Sequence, residues 1–152
     1  MMVTMQQVGQ VYSDCIPILA PNVANDSVIH NVIRVCPYTG IVIGRSWDDS
    51  NQGMSNNIIQ YNLIHGVMQL HDDGAAIYTL GGMPNGLFFD NYIYAIASSP
   101  FNGGYAYDAI YLDNGSCYTA SISCASLSEK VVEPRNSTRA GMLCVACLAK
   151  SD

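Results

Sequence analysis

The sequence is poor in charged residues, and above all in basic ones. Only 12% of its 152 residues are charged, and six Lys and Arg stand against twelve Asp and Glu, which gives a net charge of −6. Proteins that bind nucleic acids need clustered Lys and Arg to neutralise phosphate groups. The composition therefore argues against a nucleic-acid partner.

Long apolar runs are also missing. No segment approaches the roughly 18 consecutive apolar residues of a membrane-spanning helix. The opening residues, MMVTMQQVGQ, lack the basic and apolar regions of a signal peptide. A signal peptide has been removed, or the chain is part of a longer one, or there is none: the localisation stays open, and an extracellular or periplasmic location is expected if a signal peptide has been removed.

What the sequence does contain is a repeat. An Asn before an apolar pair recurs at Asn31, Asn62 and Asn91, at intervals of 31 and 29 residues. A second set of segments, GIVIG, AIYTL and AIYLD, begins at intervals of 36 and 33 residues. Self-similarity at about 20 to 50 residues indicates stacked supersecondary units that share one core.

Each repeat contains two or three short strand-like runs and no convincing helix, which predicts an all-β parallel β-helix of about three to four coils. Apolar residues at 49% supply a core, and 13 glycines suit its corners. One domain is expected over 1–152, with a cap or partial coil at 1–24, coils at 25–117 and an irregular cap or tail at 118–152. The recurring asparagines predict an asparagine ladder along one corner.

Two motifs carry a family resemblance: DDGAAIYTLG, which begins at Asp72, and AIYLDNGS, which begins at Ala109. With the preceding Asn strands they resemble right-handed parallel β-helix proteins of the carbohydrate-active kind, in which motifs such as DGGAIYTLG and GIYLDEGS recur. The resemblance extends from about Asp26 to Ser116. It implies a right-handed β-helix that is short or fragmentary beside its relatives, which include glycoside hydrolases, polysaccharide lyases and non-catalytic surface proteins.

Side-chain alternation assigns the faces of the second strand set. If Ile77 and Ile110 point inward, Tyr78 and Tyr111 point outward. Neighbouring coils lie about 4.8 Å apart, so the two rings are expected to stack as a flat aromatic surface with Asp113 at its edge. Such a surface suits a saccharide, although exposed tyrosines can also simply cover a strand.

Glycoside hydrolysis needs two carboxyl groups about 5 to 9 Å apart. The candidates are Asp72, Asp73, Asp108 and Asp113, with Asp48 and Asp49 in an earlier loop. The resemblance favours Asp73, with Asp72, and Asp113, because they occupy the acidic positions of the two motifs. Asn114 stands where the related motif has Glu and cannot act as a general acid. The alternative for each Asp is a role in capping turns.

The separation of the two favoured residues is a difficulty. Asp73 precedes its strand and Asp113 follows one, so a straight strand at about 3.3 Å per residue would hold them more than about 10 Å apart. A corner at Gly74, or Asp108 as the partner of Asp73, would bring the carboxyl groups closer.

Three further side chains are candidates for substrate binding. Trp47, the only Trp, and Arg45 lie in a polar loop after a strand, and His71 adjoins the acidic pair. His71, Asp72 and Asp73 also form a candidate acid–base or metal cluster, and a divalent cation such as calcium would suit a lyase. No other cofactor is predicted. The lyase ranks below the hydrolase because only Arg45 is near the proposed face.

The sequence thus predicts a carbohydrate-active protein that hydrolyses glycosidic bonds with paired Asp carboxylates. The alternatives are a non-catalytic β-helix module for glycan binding or assembly and, third, a polysaccharide lyase. The expected partner is an oligo- or polysaccharide, and the open coil ends predict a homo-oligomer or docking to a larger chain. Of the six cysteines, the pair in Leu143–Leu148 is expected to be buried as small hydrophobes.

Overall fold

The computed structural model describes residues 2–50, 52–97, 99–101, 103, 107–122, 125–126, 132–134, 143–145 and 148–149. These residues form short β-strands and contain no helix. The strands are β1 Val3–Gln6, β2 Ile18–Ala20, β3 Ser27–Ile29, β4 Asn31–Arg34, β5 Ile41–Gly44, β6 Ile58–Gln60, β7 Leu63–His65, β8 Gly74–Leu80, β9 Gly82–Phe89, β10 Tyr92–Tyr94, β11 Tyr107–Leu112, β12 Cys117–Ile122, β13 Ala125–Ser126, β14 Val132–Pro134, β15 Leu143–Val145 and β16 Leu148–Ala149.

The strands form three parallel sheets. Sheet A has the order β1-β4-β7-β10-β13-β16, sheet B the order β14-β11-β8-β5-β2, and sheet C the order β15-β12-β9-β6-β3. Each strand pairs with strands that occur about one repeat earlier and later in the sequence, so the chain visits the three sheets in turn. The predicted fold class, an all-β right-handed parallel β-helix, is confirmed.

Columns of apolar side chains fill the space between the sheets. In sheet A, Ile33, Ile64 and Ile93 are aligned, and each is fully buried. In sheet B, Ile77 aligns with Ile41 on one side and with Ile110 on the other. Burying each such side chain stabilises the fold by about 1.5 to 3 kcal/mol. The repeat in the sequence is therefore the repeat of the core.

One corner of the β-helix is set by residues with left-handed backbone conformation. His30, Tyr61 and Asp90 have φ values of 57°, 54° and 52° and separate the strands of sheet C from those of sheet A. The apolar run Val28–Ile33, which reads as one strand in the sequence, is divided between β3 and β4 because the chain turns at His30. Since His and Asp are enriched among residues with positive φ, this corner forms without glycine.

A second corner repeats in the same way. Asn25, Asn56 and Asn85 have φ values of 60°, 55° and 59°. The side-chain nitrogen of Asn56 donates to Asn25 Oδ1 at 2.9 Å, and that of Asn85 donates to Asn56 Oδ1 at 2.9 Å. This exposed row of asparagines was not predicted, although its intervals match those of Asn31, Asn62 and Asn91.

The predicted row is half-buried at Asn31 and buried at Asn62 and Asn91. Asn31 Nδ2 donates to Asn62 Oδ1 at 3.1 Å, and Asn62 Nδ2 donates to Asn91 Oδ1 at 3.0 Å. Asn62 Oδ1 also accepts from the backbone N–H of Asn31, and Asn62 Nδ2 donates to the carbonyl of Val28 at 2.8 Å. These amides thus satisfy backbone groups that the turn withdraws from strand pairing.

Strands also occur in both segments outside the predicted coils. At the N-terminus, β1 pairs with β4 and β2 pairs with β5. Beyond the third coil, β12 to β16 add strands to all three sheets, where the sequence indicated an irregular cap or tail. Cys15, Cys36 and Cys117 are free thiols, whereas the remaining cysteine side chains lie outside the described residues.

Candidate functional site

The outer side of sheet B holds most of the side chains that the sequence singled out. Tyr78 in β8 aligns with Val42 in β5 and with Tyr111 in β11, as side-chain alternation predicted. The two tyrosine rings lie 5.2 Å apart, but their planes meet at 72°. They are 7% and 6% exposed. The expectation of a flat, exposed aromatic surface is therefore wrong for this pair.

The burial of these rings has a local cause. Val42, Ala75, Tyr78 and Tyr111 form a second apolar cluster, against which Ile16 of the N-terminal segment packs. Ala76 and Ile77 both belong to the interior core, so strict alternation is broken within β8. The tyrosines are covered on the outside of the sheet, and a hydrogen bond directs the hydroxyl group of Tyr78.

Tyr78 and Asp113 are joined across neighbouring coils. The Tyr78 hydroxyl group donates to Asp113 Oδ2 at 2.5 Å, and Asp113 is 6% exposed. Burial, with the adjacent Asp113 carboxylate, raises the pKa of Tyr78 far above its usual range. The hydroxyl group therefore remains a proton donor to the carboxylate throughout the physiological pH range.

Asp113 lies in a fixed turn between sheets B and C. Its backbone N–H donates to the carbonyl of Thr79 at 3.1 Å, and the N–H of Ser116 donates to the carbonyl of Asp113 at 2.9 Å. Gly115, with a φ of 74°, completes the turn, and its missing side chain allows the backbone of Asp48 to pack against it. Asp113 is thus held by the backbone as well as by Tyr78.

Asp73 occupies the opposite end of β8, in a left-handed conformation with a φ of 54°. Its carbonyl accepts a 2.9 Å hydrogen bond from the Tyr38 hydroxyl group of the preceding coil. Burial raises the pKa of the Asp73 carboxyl group, and the charges of Asp113 and then of Asp72 raise it further. The corner lies at Asp73 itself and not at Gly74, so a strand of sheet B separates Asp73 from the end of the sheet at which Asp113 lies.

Asp72 and His71 connect this corner to other segments. The backbone N–H of Gly103 donates to Asp72 Oδ2 at 2.5 Å, and His71 Nε2 lies 2.8 Å from Ser13 Oγ. The His71 ring also meets Tyr38 edge to face, with 5.3 Å between centroids. In the part of the chain that the structure describes, no three His, Cys, Asp or Glu side chains are grouped to hold a metal ion.

Asp108, the fourth acidic candidate, lies near the beginning of β11. It aligns with Ala75, which packs in the same outer cluster as Tyr78. Its side chain is 1% exposed. Asp108 is therefore a buried carboxyl group in the strand that precedes Asp113.

Arg45 and Trp47 belong to a neighbouring cavity and not to the acidic cluster. The cavity has a volume of about 510 Å³ and is lined by Asn22, Arg45, Ser46, Trp47, Asp48 and Gln52. Trp47 is 70% exposed. The structure thus divides the predicted site into an acidic cluster on sheet B and an open cavity at the loop that follows β5.

The chain is similar to a solved glycoside hydrolase. The TM-score is 0.83 and the sequence identity 28%, over 93% of this chain. The chain spans 23% of the length of that hydrolase. The sequence matches no protein-family model, and no curated protein matches it. This similarity, together with the parallel β-helix, confirms the resemblance to β-helix proteins of the carbohydrate-active kind.

Sequence reasoning missed Tyr38 and Ser13, which contact the acidic corner. Tyr38 precedes Asp73 by 35 residues, close to the interval of the second repeat set, so its position one coil earlier was present as a signal. Ser13 lies in a segment without repeats, and nothing in the sequence pairs it with His71.

The described residues contain no helix long and apolar enough to cross a membrane.

Proposed function

We propose that this chain hydrolyses glycosidic bonds, with Asp73 as the general acid and Asp113 as its carboxylate partner. The observations that carry the proposal are the hydrogen bond from Tyr78 to Asp113 and the partial burial of Asp73, which together with the charge of Asp113 raises the pKa of Asp73. Glycoside hydrolysis uses two carboxyl groups, of which the general acid has a raised pKa. The similarity to a glycoside hydrolase supports this reaction class.

The roles follow from the surroundings of each group. A carboxyl group with a raised pKa retains its proton at a higher pH, so Asp73 protonates the glycosidic oxygen as the bond to the anomeric carbon breaks. The electron pair of that bond passes to the departing oxygen. The Asp113 carboxylate stabilises the positive charge that develops on the anomeric carbon, and water completes the hydrolysis.

Tyr78 has a positioning role in this proposal. Its hydrogen bond holds Oδ2 of Asp113 and leaves Oδ1 to face the substrate. Because the Tyr78 pKa is raised, the hydroxyl group does not lose its proton to the carboxylate. The orientation of Asp113 is therefore set before substrate binds.

A panel of aryl glycosides tests the proposal on wild type, Asp73→Asn, Asp113→Asn and Asp90→Asn. Asp90→Asn is a matched control, since Asp90 is exposed and has a φ of 52°, close to the 54° of Asp73. Asn tolerates this conformation well. We expect kcat to fall by about 10²- to 10⁴-fold in the first two variants and to stay at the wild-type value in the control.

Substrates with different leaving groups distinguish the role of Asp73 from that of Asp113. Asp73→Asn should hydrolyse an aryl glycoside with a strongly acidic phenol much better than an unactivated disaccharide, because such a phenol departs without protonation. Asp113→Asn should lose both activities. Absence of turnover by wild type on every glycoside, or unchanged turnover in both variants, would rule out the hydrolase.

A non-catalytic glycan-binding module is the second candidate. The observation that favours it is the low exposure of Asp113, whose Oδ2 is already bonded to Tyr78. This candidate predicts saturable binding of an oligosaccharide with no release of reducing ends. Reducing-end assays on the same ligand that binds in calorimetry distinguish the two.

A further inference from the structure

The cavity beside Trp47 combines an aromatic ring, a cation and amides. Trp47 supplies a largely exposed ring, and Arg45 supplies a cation to the lining. Asn22 and Gln52 add amide groups. An indole face suits the C–H groups of a sugar ring, and amides suit its hydroxyl groups. A guanidinium group matches a carboxylate with two parallel hydrogen bonds.

Asp48, the acidic residue in the lining, forms hydrogen bonds within its own loop. Asp48 Oδ1 accepts hydrogen bonds from Ser46 Oγ and from the backbone N–H of Ser50, both at 2.8 Å. Hydrogen bonds from Ser50 and from Ser46 hold the pKa of Asp48 below its usual range. Asp48 therefore shapes the loop. None of the described residues forms a salt bridge with Arg45, whose side chain lines the cavity.

The loop lies close to the proposed reaction centre. Arg45 follows Gly44, which aligns with Leu80 on the next coil. On the coil after that, the N–H of Asp113 bonds to the carbonyl of Thr79, the residue before Leu80. Two coil spacings of about 4.8 Å place the Gly44 and Asp113 backbones about 10 Å apart along the axis. Asp48 also packs against Gly115, two residues after Asp113. One short oligosaccharide can therefore reach both places.

We propose that this cavity is a subsite for a uronic acid unit, in which Trp47 stacks on the sugar ring and Arg45 pairs with the sugar carboxylate. The inference rests on the proposed function and assigns its substrate class, an acidic oligosaccharide. The sugar unit that is cleaved lies at Asp73 and Asp113, and the uronate lies toward the N-terminal coils.

Trp47 itself reports on the site, because it is the only Trp of the protein. Its fluorescence is titrated with galacturonate and glucuronate tetrasaccharides and with the same tetrasaccharides after reduction of their carboxyl groups. We expect at least one uronide to change the emission and to bind about fivefold more tightly than its reduced form. Added salt should reduce this preference.

Two variants show whether Arg45 causes the preference. Arg45→Gln should abolish it, whereas Arg34→Gln, which removes an exposed Arg bonded to Gln6 on sheet A, should preserve it. Equal affinity for acidic and reduced sugars, or no change in emission with any of them, would overturn the inference. Equally tight, Arg45-dependent binding of a sulfated neutral tetrasaccharide would overturn the assignment to a uronate.

The readout does not depend on turnover, so the two proposals can fail separately. Hydrolysis of neutral glycosides without a preference for uronides would overturn the substrate class and leave the hydrolase. Arg45-dependent binding of a uronide that is never cleaved would support the subsite and contradict the hydrolase. Release of an unsaturated uronide would support the subsite and identify a lyase instead.

Discussion

The hydroxyl group of Tyr78 donates a 2.5 Å hydrogen bond to Oδ2 of Asp113, which lies 35 residues later in the sequence and on the next coil. This bond joins two coils through side chains on the outside of sheet B. Both partners are less than one tenth exposed. The contact therefore combines a structural role with the orientation of a candidate catalytic carboxylate.

Removing the Tyr78 hydroxyl group should destabilise the fold. Tyr78→Phe retains the ring and leaves a buried carboxylate without its donor, so we expect the free energy of unfolding to fall by about 1.5 to 3 kcal/mol. Chemical denaturation measures this change. Tyr92→Phe alters an exposed ring and should change stability by less than about 0.5 kcal/mol. An equal effect of both substitutions would contradict a specific contribution of the Asp113 bond.

The raised pKa of Asp73 predicts a pH dependence of stability. In the folded state Asp73 binds its proton more tightly than in the unfolded chain, where the pKa is about 3.9. The stabilising effect is present below about pH 4 and is lost as the pH rises through the raised pKa. Relative to Asp73→Asn, the wild type should therefore become less stable from pH 4 to pH 7 in denaturant titrations. Gln69→Ala removes no titrating group and should leave the wild-type slope unchanged.

The buried asparagine row predicts a large effect of one substitution. Asn62→Ala removes the partners of the Asn31 N–H and of the Val28 carbonyl group. We expect a loss of about 2 to 4 kcal/mol, because both groups stay withdrawn from water. Gln69→Ala, which removes an exposed amide, should change stability by less than about 0.5 kcal/mol. Similar unfolding midpoints for the two variants would refute this expectation.

Substitutions at two glycines with positive φ distinguish the cost of backbone strain from the cost of steric overlap. Gly53, with a φ of 87°, has open space around an added Cβ, whereas an added Cβ at Gly115 meets the backbone of Asp48. Gly53→Ala should cost about 1 to 2 kcal/mol. Gly115→Ala should cost more and should also shift the emission of Trp47, since it displaces the loop. Unchanged emission in Gly115→Ala would show that the loop does not depend on this contact.

The repeat intervals were sufficient to predict the parallel pairing. Inward columns such as Ile41, Ile77 and Ile110 repeat because each coil must bury the same face, and this fixes the alignment of Val42 with Tyr78 and Tyr111. Alternation also placed the two tyrosines on the outer side of the sheet. The alternation of side chains along a strand thus predicts which face of the sheet each side chain occupies.

The sequence did not reveal the left-handed turns between sheets C and A or the cover of the outer face. Tyr61 has no preference for positive φ, so its left-handed conformation had no local signal. Ile16 belongs to a segment without repeats, yet it covers the tyrosines. The break in alternation within β8, where Ala76 and Ile77 both pack in the core, also has no signal in the repeat. Such features arise from tertiary packing and not from periodicity.

The segments between sheets A and B differ in length from coil to coil. They span 35–40, 66–73 and 95–106, yet the strands on either side remain in register. Segments of different length at this corner are therefore compatible with one strand register, although Cys36, Val67 and Met68 within them also pack in the core. The outward-facing residues of these segments can therefore diverge from coil to coil while the strands that bury the isoleucine columns stay unchanged.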